Sequence, residues 1–144
     1  MTGNATLHIE DVSVGAAAPE VRHTLTRTDL VRYAGASGDL NPMHHDDQQA
    51  QAAGLPSVFG HGMLSMGLLA RSVTDWTGVG SLRNLKVRFT KQTWPGEELV
   101  ATVTVMSTRE AGGEHLADLE LELTNGDGQV KAAGEAVVAL PSRG

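Results

Sequence analysis

Met63-Leu64-Ser65-Met66-Gly67-Leu68-Leu69-Ala70-Arg71-Ser72-Val73-Thr74-Asp75-Trp76 is the stretch on which the fold turns. Met63, Leu64, Met66, Leu68, Leu69, Ala70 and Val73 leave almost no polar face over its first two turns, and a helix apolar nearly all round is expected to be buried nearly all round. Its densest apolar run, Met63 to Ala70, falls far short of the roughly 20 residues that span a bilayer, so it reads as a core helix and no membrane partner is expected. After Gly78 and Gly80 the period changes to two. Leu85, Val87 and Phe89 alternate with Lys86 and Arg88; Leu99, Ala101, Val103 and Val105 form a longer β-branched run with Val100, Thr102 and Thr104; Leu119, Leu121 and Leu123 alternate with Glu120 and Glu122. A last strand is expected over Val130 to Leu140, before Pro141. Trp94-Pro95-Gly96, Gly112-Gly113 and Asn125-Gly126-Asp127-Gly128 separate these runs as turns. Four consecutive antiparallel strands with one wet face, placed after helices, imply an α+β domain in which a curled sheet covers the buried helix.

Toward the N-terminus of that helix the pattern is helical and then irregular. Residues 1–20 carry no strong period. Thr26 with Asp29 resembles a capping box for a helix running through Leu30, Val31 and Tyr33, with Thr28 as the competing cap and a stop between Gly35 and Gly38. Asp46 or Asp47 can cap a short Gln- and Ala-rich helix that ends at Gly54, with Pro56 as a further stop. No interdomain linker is visible among the Pro and Gly positions, and residues 1–144 read as a single domain; a chain of 144 residues buries about two-thirds of its unfolded surface.

Composition narrows the function classes. Hydrophobic residues make up 40% of the chain and aromatics 3%, so the core must be built from Val, Leu, Ala and Met. The absence of cysteine excludes disulfides, thiolate metal sites and a cysteine nucleophile. A net charge of −6 disfavours nucleic acid as a partner, and it also requires any polyanionic ligand to find a local basic patch. Arg83, Lys86, Arg88 and Lys91 offer such a rim, although a solvated strand face explains the same residues. No secretory signal stands at Met1 to Glu10, and the chain reads as cytoplasmic.

The polar segment Ser37-Gly38-Asp39-Leu40-Asn41-Pro42-Met43-His44 places a carboxylate and an imidazole five residues apart across a bend shaped by Gly and Pro. Pro42 pushes Asn41 to extended geometry. Asp39 with His44 is a workable acid/base pair near neutral pH, as reversible addition of water to a double bond requires. The alternative is a turn-capping Asp39 beside an ordinary loop histidine. A metal held by His44, His45, Asp46 and His61 lacks supporting ligand spacing, and no metal is expected.

Phe59-Gly60-His61-Gly62-Met63-Leu64-Ser65 sets a glycine just before the buried helix, where free N–H groups and the helix dipole favour developing negative charge. The Gly62 N–H is the candidate oxyanion donor, unless the glycines serve only a tight turn into a crowded helix. His61 is expected to orient this loop. Ser65 lies in a GxxSxG spacing that does not match a hydrolase elbow, which leaves it a supporting residue. Gly60, Gly62, Gly78 and Gly80 make no dinucleotide fingerprint, and no cofactor is expected.

Tyr33-Ala34-Gly35-Ala36-Ser37-Gly38-Asp39-Leu40-Asn41-Pro42-Met43-His44 resembles the hydratase motif of the MaoC-like family, and Gly60-His61-Gly62-Met63 matches its second landmark. Within that family the chain looks most similar to the catalytic B subunit of actinobacterial (3R)-hydroxyacyl-ACP dehydratases. The resemblance implies a hot dog fold, a homodimer or a heterodimer with a related subunit, and acyl chains bound between subunits. It implies (R)-specific hydration of enoyl thioesters of coenzyme A or acyl carrier protein, or the reverse dehydration. Asp39 and His44 fall on its catalytic pair, Asn41 on its supporting, substrate-binding Asn, and Gly62 on its backbone donor to the thioester carbonyl. Some members carry a serine further along the central helix, where this chain has Ala70 with Ser72 nearby. A hot dog thioesterase and a non-catalytic partner subunit are the rival readings, and both leave the filled Asp39-to-His44 motif unexplained.

Overall fold

The computed structural model describes residues 5–144; residues 1–4, part of the stretch read for a secretory leader, lie outside it. Its elements are β1 (Val21–Thr24), α1 (Arg27–Ser37), α2 (Asp47–Ala52), α3 (Gly62–Thr77), β2 (Leu82–Phe89), β3 (Glu98–Ala111), β4 (Glu114–Thr124) and β5 (Val130–Leu140). The five strands form one antiparallel sheet in the order β1-β3-β4-β5-β2. That sheet curls around α3, giving the hot dog fold. No helix among the described residues is long and apolar enough to cross a membrane.

The strands follow the period-two reading closely. Leu99, Ala101, Val103 and Val105 of β3, Leu119, Leu121 and Leu123 of β4, and Ala132, Ala136 and Val138 of β5 pack with Leu68, Leu69 and Val73 of α3 into one core. The extra strand is β1. Four residues with a single aliphatic among them, Val-Arg-His-Thr, carry too short a pattern to be seen alone; they become a strand only because β3 offers an unpaired edge.

Thr26 is the N-cap of α1 and its capping box with Asp29 is complete, while Gly38, at φ 78°, closes the helix in the left-handed region that glycine tolerates best. Asp46 caps α2 by accepting from the N–H groups of Gln48 and Gln49.

The expectation for α3 needs correction. Ser65, Leu68, Leu69, Ser72 and Val73 are buried, but Met63 is 57% exposed and Gly67, Arg71 and Asp75 share its open stripe. The sheet covers one side of the helix only. At the C-terminal half that stripe is polar, tied by an Arg71–Asp75 ion pair of 3.2 Å; at the N-terminal half it is apolar.

One buried charge was not legible in the sequence. Lys131, 3% exposed on β5, donates to the Gln92 carbonyl and to Glu97, each at 2.9 Å. Glu97 also accepts from the Asn125 amide and the Trp94 N–H. Burial raises the Glu97 pKa, yet these hydrogen bonds and the Lys131 charge outweigh it and hold the carboxyl below its ordinary value. Replacing Lys131 by Met leaves the partly buried Glu97 carboxylate without its counter-ion and the Gln92 carbonyl without its donor, so we expect Lys131→Met to lose about 2 kcal/mol in urea unfolding. An unchanged midpoint would show that the pair adds nothing to stability.

Candidate active site

The bend between α1 and α2 is built from side chains acting as turn formers. Ser37 Oγ accepts from the Asp39 N–H at 3.1 Å, Asp39 Oδ1 from the Asn41 N–H at 3.3 Å, and Asn41 Oδ1 from the Met43 N–H at 3.1 Å. Pro42 opens a one-turn 3-10 helix, Pro42–His44, because its missing N–H is not needed there. These turns fold the chain back so that Asp39 Oδ2 stands 3.8 Å from His44 Nε2. That gap is too long for a hydrogen bond and short enough for one water to reach both atoms.

The two partners differ in surroundings. Asp39 is half exposed, whereas His44 is buried at 7%, which departs from the loop histidine of the alternative reading. His44 Nδ1 meets the Phe59 carbonyl at 2.7 Å. A carbonyl only accepts, so Nδ1 carries a proton there, and Nε2 is the nitrogen turned to Asp39.

His61 closes the site from the other side. It is 1% exposed, stacks on His44 with ring centroids 3.9 Å apart, and approaches Tyr33 at 4.8 Å. Its Nε2 donates to the Asp39 carbonyl at 3.1 Å, so it holds the loop, and Nδ1 is left buried without a partner. Burial, with the neighbouring His44 charge, lowers the His61 pKa below its ordinary 6.5. Stability contributed by a neutral His61 is present above that value and is lost as pH falls below it, because the unfolded chain then takes up a proton that the folded chain refuses. Urea midpoints are expected to drop from pH 7.5 to 5.5, and to drop less in His61→Phe; equal drops would remove His61 as the cause.

Asp39, His44 and His61 are brought together with ligand atoms all within 4.8 Å, whereas His45 turns away to the Leu40 carbonyl and Asp46 is consumed in capping α2. Each of the three keeps one uncommitted atom, His44 Nε2, His61 Nδ1 and Asp39 Oδ2. His44 Nδ1 and His61 Nε2 are committed to carbonyls, and one Asp39 oxygen to the Asn41 N–H.

Gly62 is the first residue of α3, and among the described residues its N–H makes no hydrogen bond. It opens onto a cavity of about 290 Å³ lined by Phe59, Gly60, Ser65, Phe89 and the segment from Thr90 to Thr93. Gly60 has a packing reason: its N–H bonds the Thr93 carbonyl at 2.8 Å, and a Cβ there would run into Thr93 Oγ1. Ser65 lies in the cavity wall one turn beyond Gly62, while Ser72 turns back to the Leu69 carbonyl at 2.6 Å and Ala70 supplies no hydroxyl. Asn41 uses its side-chain oxygen as a cap, leaving its amide group exposed.

The wall from Phe89 to Thr93 and the Phe59 carbonyl escaped sequence reasoning. Trp94-Pro95-Gly96 signalled a turn, but nothing local said that the residues before it would face Gly62. Of the conceivable basic rim, Arg83 pairs with Glu114 and Lys86 with Glu135.

Residues 14–126 match the family model described as MaoC like domain. The chain is 31% identical to the (R)-specific enoyl-CoA hydratase of Rhodospirillum rubrum, over 95% of this chain and 94% of that one. It is 27% identical to the mitochondrial 3-hydroxyacyl-[acyl-carrier-protein] dehydratase FERN of Solanum lycopersicum, over 91% of this chain and 79% of that one. The unliganded R-hydratase PhaJ1 from Pseudomonas aeruginosa superposes with a TM-score of 0.82 at 26% identity, covering 93% of this chain and 85% of that one.

Proposed function

The chain belongs to the MaoC-like dehydratase family, and from that premise we propose that it is a hydro-lyase that hydrates trans-2-enoyl thioesters to (3R)-hydroxyacyl thioesters and catalyses the reverse dehydration. The observation that carries this reading is the Asp39 carboxylate facing His44 Nε2 across 3.8 Å, beside a helix start with an unpaired Gly62 N–H.

Asp39 and His44 hold one water and share its protons. In hydration the water oxygen bonds to C3 as the C2–C3 double bond shifts toward the carbonyl, and a proton is delivered to C2; dehydration retraces both steps. Negative charge gathers on the thioester oxygen between them. The Gly62 N–H and the positive end of α3 are the groups that stabilise it, and neither needs to reorganise as the charge forms. His61 and Asn41 hold the Asp39 loop, and Ser65 shapes the wall near the carbonyl.

Residues 1–144 act as one catalytic domain that pairs with a second hot dog subunit, in the simplest case a copy of itself. The open apolar half of α3 at Met63, the half-exposed Phe89 and the unpaired outer edge of β2 support that pairing. Light scattering after size exclusion reads the assembly. A cytoplasmic setting fits the same reading.

The test is loss of enoyl-thioester absorbance from crotonyl-CoA, with chiral analysis of the alcohol and a thiol assay. Loss of absorbance with the 3R alcohol and no free thiol is expected. Free thiol would establish the thioesterase alternative, and silence of the dimer on both counts would support a non-catalytic subunit.

A further inference from the structure

Eleven Lys and Arg residues stand on a chain of net charge −6. Eight of them, Arg22, Arg27, Arg71, Arg83, Lys86, Arg109, Lys131 and Arg143, are neutralised by carboxylates. Arg32, Arg88 and Lys91 have no ion-pair partner among the described residues. Arg32 lies on α1, outside the lining of the Gly62 cavity, and Arg88 lies with Lys86 in a separate groove against Gly134 and Glu135. Lys91 alone is both unpaired and part of the cavity wall that holds Gly62.

Its position suits a charge remote from the reacting carbon. The Phe89 ring would touch a Cβ on Gly62 at 3.5 Å, so Phe89 marks the carbonyl end of the cavity. Lys91 stands at the bend after Phe89, between Phe89 at Gly62 and Thr93 at Gly60, and its exposed, flexible four-carbon stem lets the ammonium reach outward from that wall. A thioester bound at Gly62 leaves its sulfur arm to run out along this wall. Every carrier of the proposed substrate joins that arm, pantetheine, to phosphate.

We propose that Lys91 is a specificity-determining residue that binds the phosphate of the pantetheine carrier. The inference rests on the hydratase reading above. It explains how an acidic protein accepts a polyanionic substrate: one unneutralised cation at the cavity supplies the local attraction that the net charge opposes.

The experiment compares wild type, Lys91→Gln and the control Arg88→Gln on crotonyl thioesters of coenzyme A, 4′-phosphopantetheine and pantetheine. Wild-type turnover of the pantetheine thioester tests the hydratase reading by itself, since that substrate has no phosphate. Lys91→Gln is expected to raise KM roughly tenfold for both phosphorylated substrates at unchanged kcat, an effect fitting the loss of one charged hydrogen bond. Pantetheine kinetics and the Arg88→Gln enzyme should be unaffected. A rise confined to coenzyme A would keep the site and assign it to the nucleotide-end phosphates. An unchanged KM on all three, or an equal rise on pantetheine, would overturn the proposal.

Discussion

Asp39→Asn is expected to fold normally and to lose about three orders of magnitude in kcat, within the range general acid–base groups contribute. The amide is nearly isosteric and can still accept from the Asn41 N–H, so the bend survives. The carboxylate is half exposed, so little packing depends on it. What disappears is a proton-accepting oxygen 3.8 Å from His44 Nε2. His44→Ala should cost as much activity but, unlike Asp39→Asn, some stability as well. It leaves a hole beside Phe59 and His61 and removes the donor from the Phe59 carbonyl. Rates within tenfold of wild type in folded Asp39→Asn, measured on crotonyl-CoA, would end the water-holding mechanism.

Gly134→Ala is expected to destabilise the protein by about 4 kcal/mol, among the largest effects of any single substitution here. Gly134 of β5 pairs with Val87 of β2, and a Cβ at 134 would drive into the backbone carbonyl of Lys86. The obstacle is main chain inside a hydrogen-bonded ladder, so it cannot swing aside as a side chain would. Relief requires the β2 edge to detach, and β2 carries Phe89 to its place beside Gly62. Urea unfolding reads the loss; a shift worth under about 1 kcal/mol would mean that the two strands approach less closely than described. A Cβ on Gly62, by contrast, meets only the Phe89 ring at ordinary contact distance, 3.5 Å.

Most of this architecture was written locally. The alternation of Leu119, Leu121 and Leu123, the Thr26–Asp29 box and the Asn125 to Gly128 turn each declare an element through the chain's own next few residues. The same holds for the bend from Ser37 to His44, where each turn is closed by a side chain two residues away. Hence Asp39, His44 and Gly62 could be singled out before any coordinates.

Contacts between distant segments could not be read this way. Lys91 looked like one more cation on a strand; that it stands in the wall of the Gly62 cavity, with no ion-pair partner among the described residues, follows from where the chain after β2 comes to lie against α3. The strand β1 exists because β3 has a free edge, and the stacked position of His61 depends on His44 and the Asp39 carbonyl arriving from another loop. Periodicity and capping are properties of neighbours along the chain, and they determined the element order, the central helix and the bend that carries Asp39 and His44. Pairing, burial of charge and the choice of which His44 nitrogen faces Asp39 depend on distances between segments many residues apart, and only the folded chain sets those.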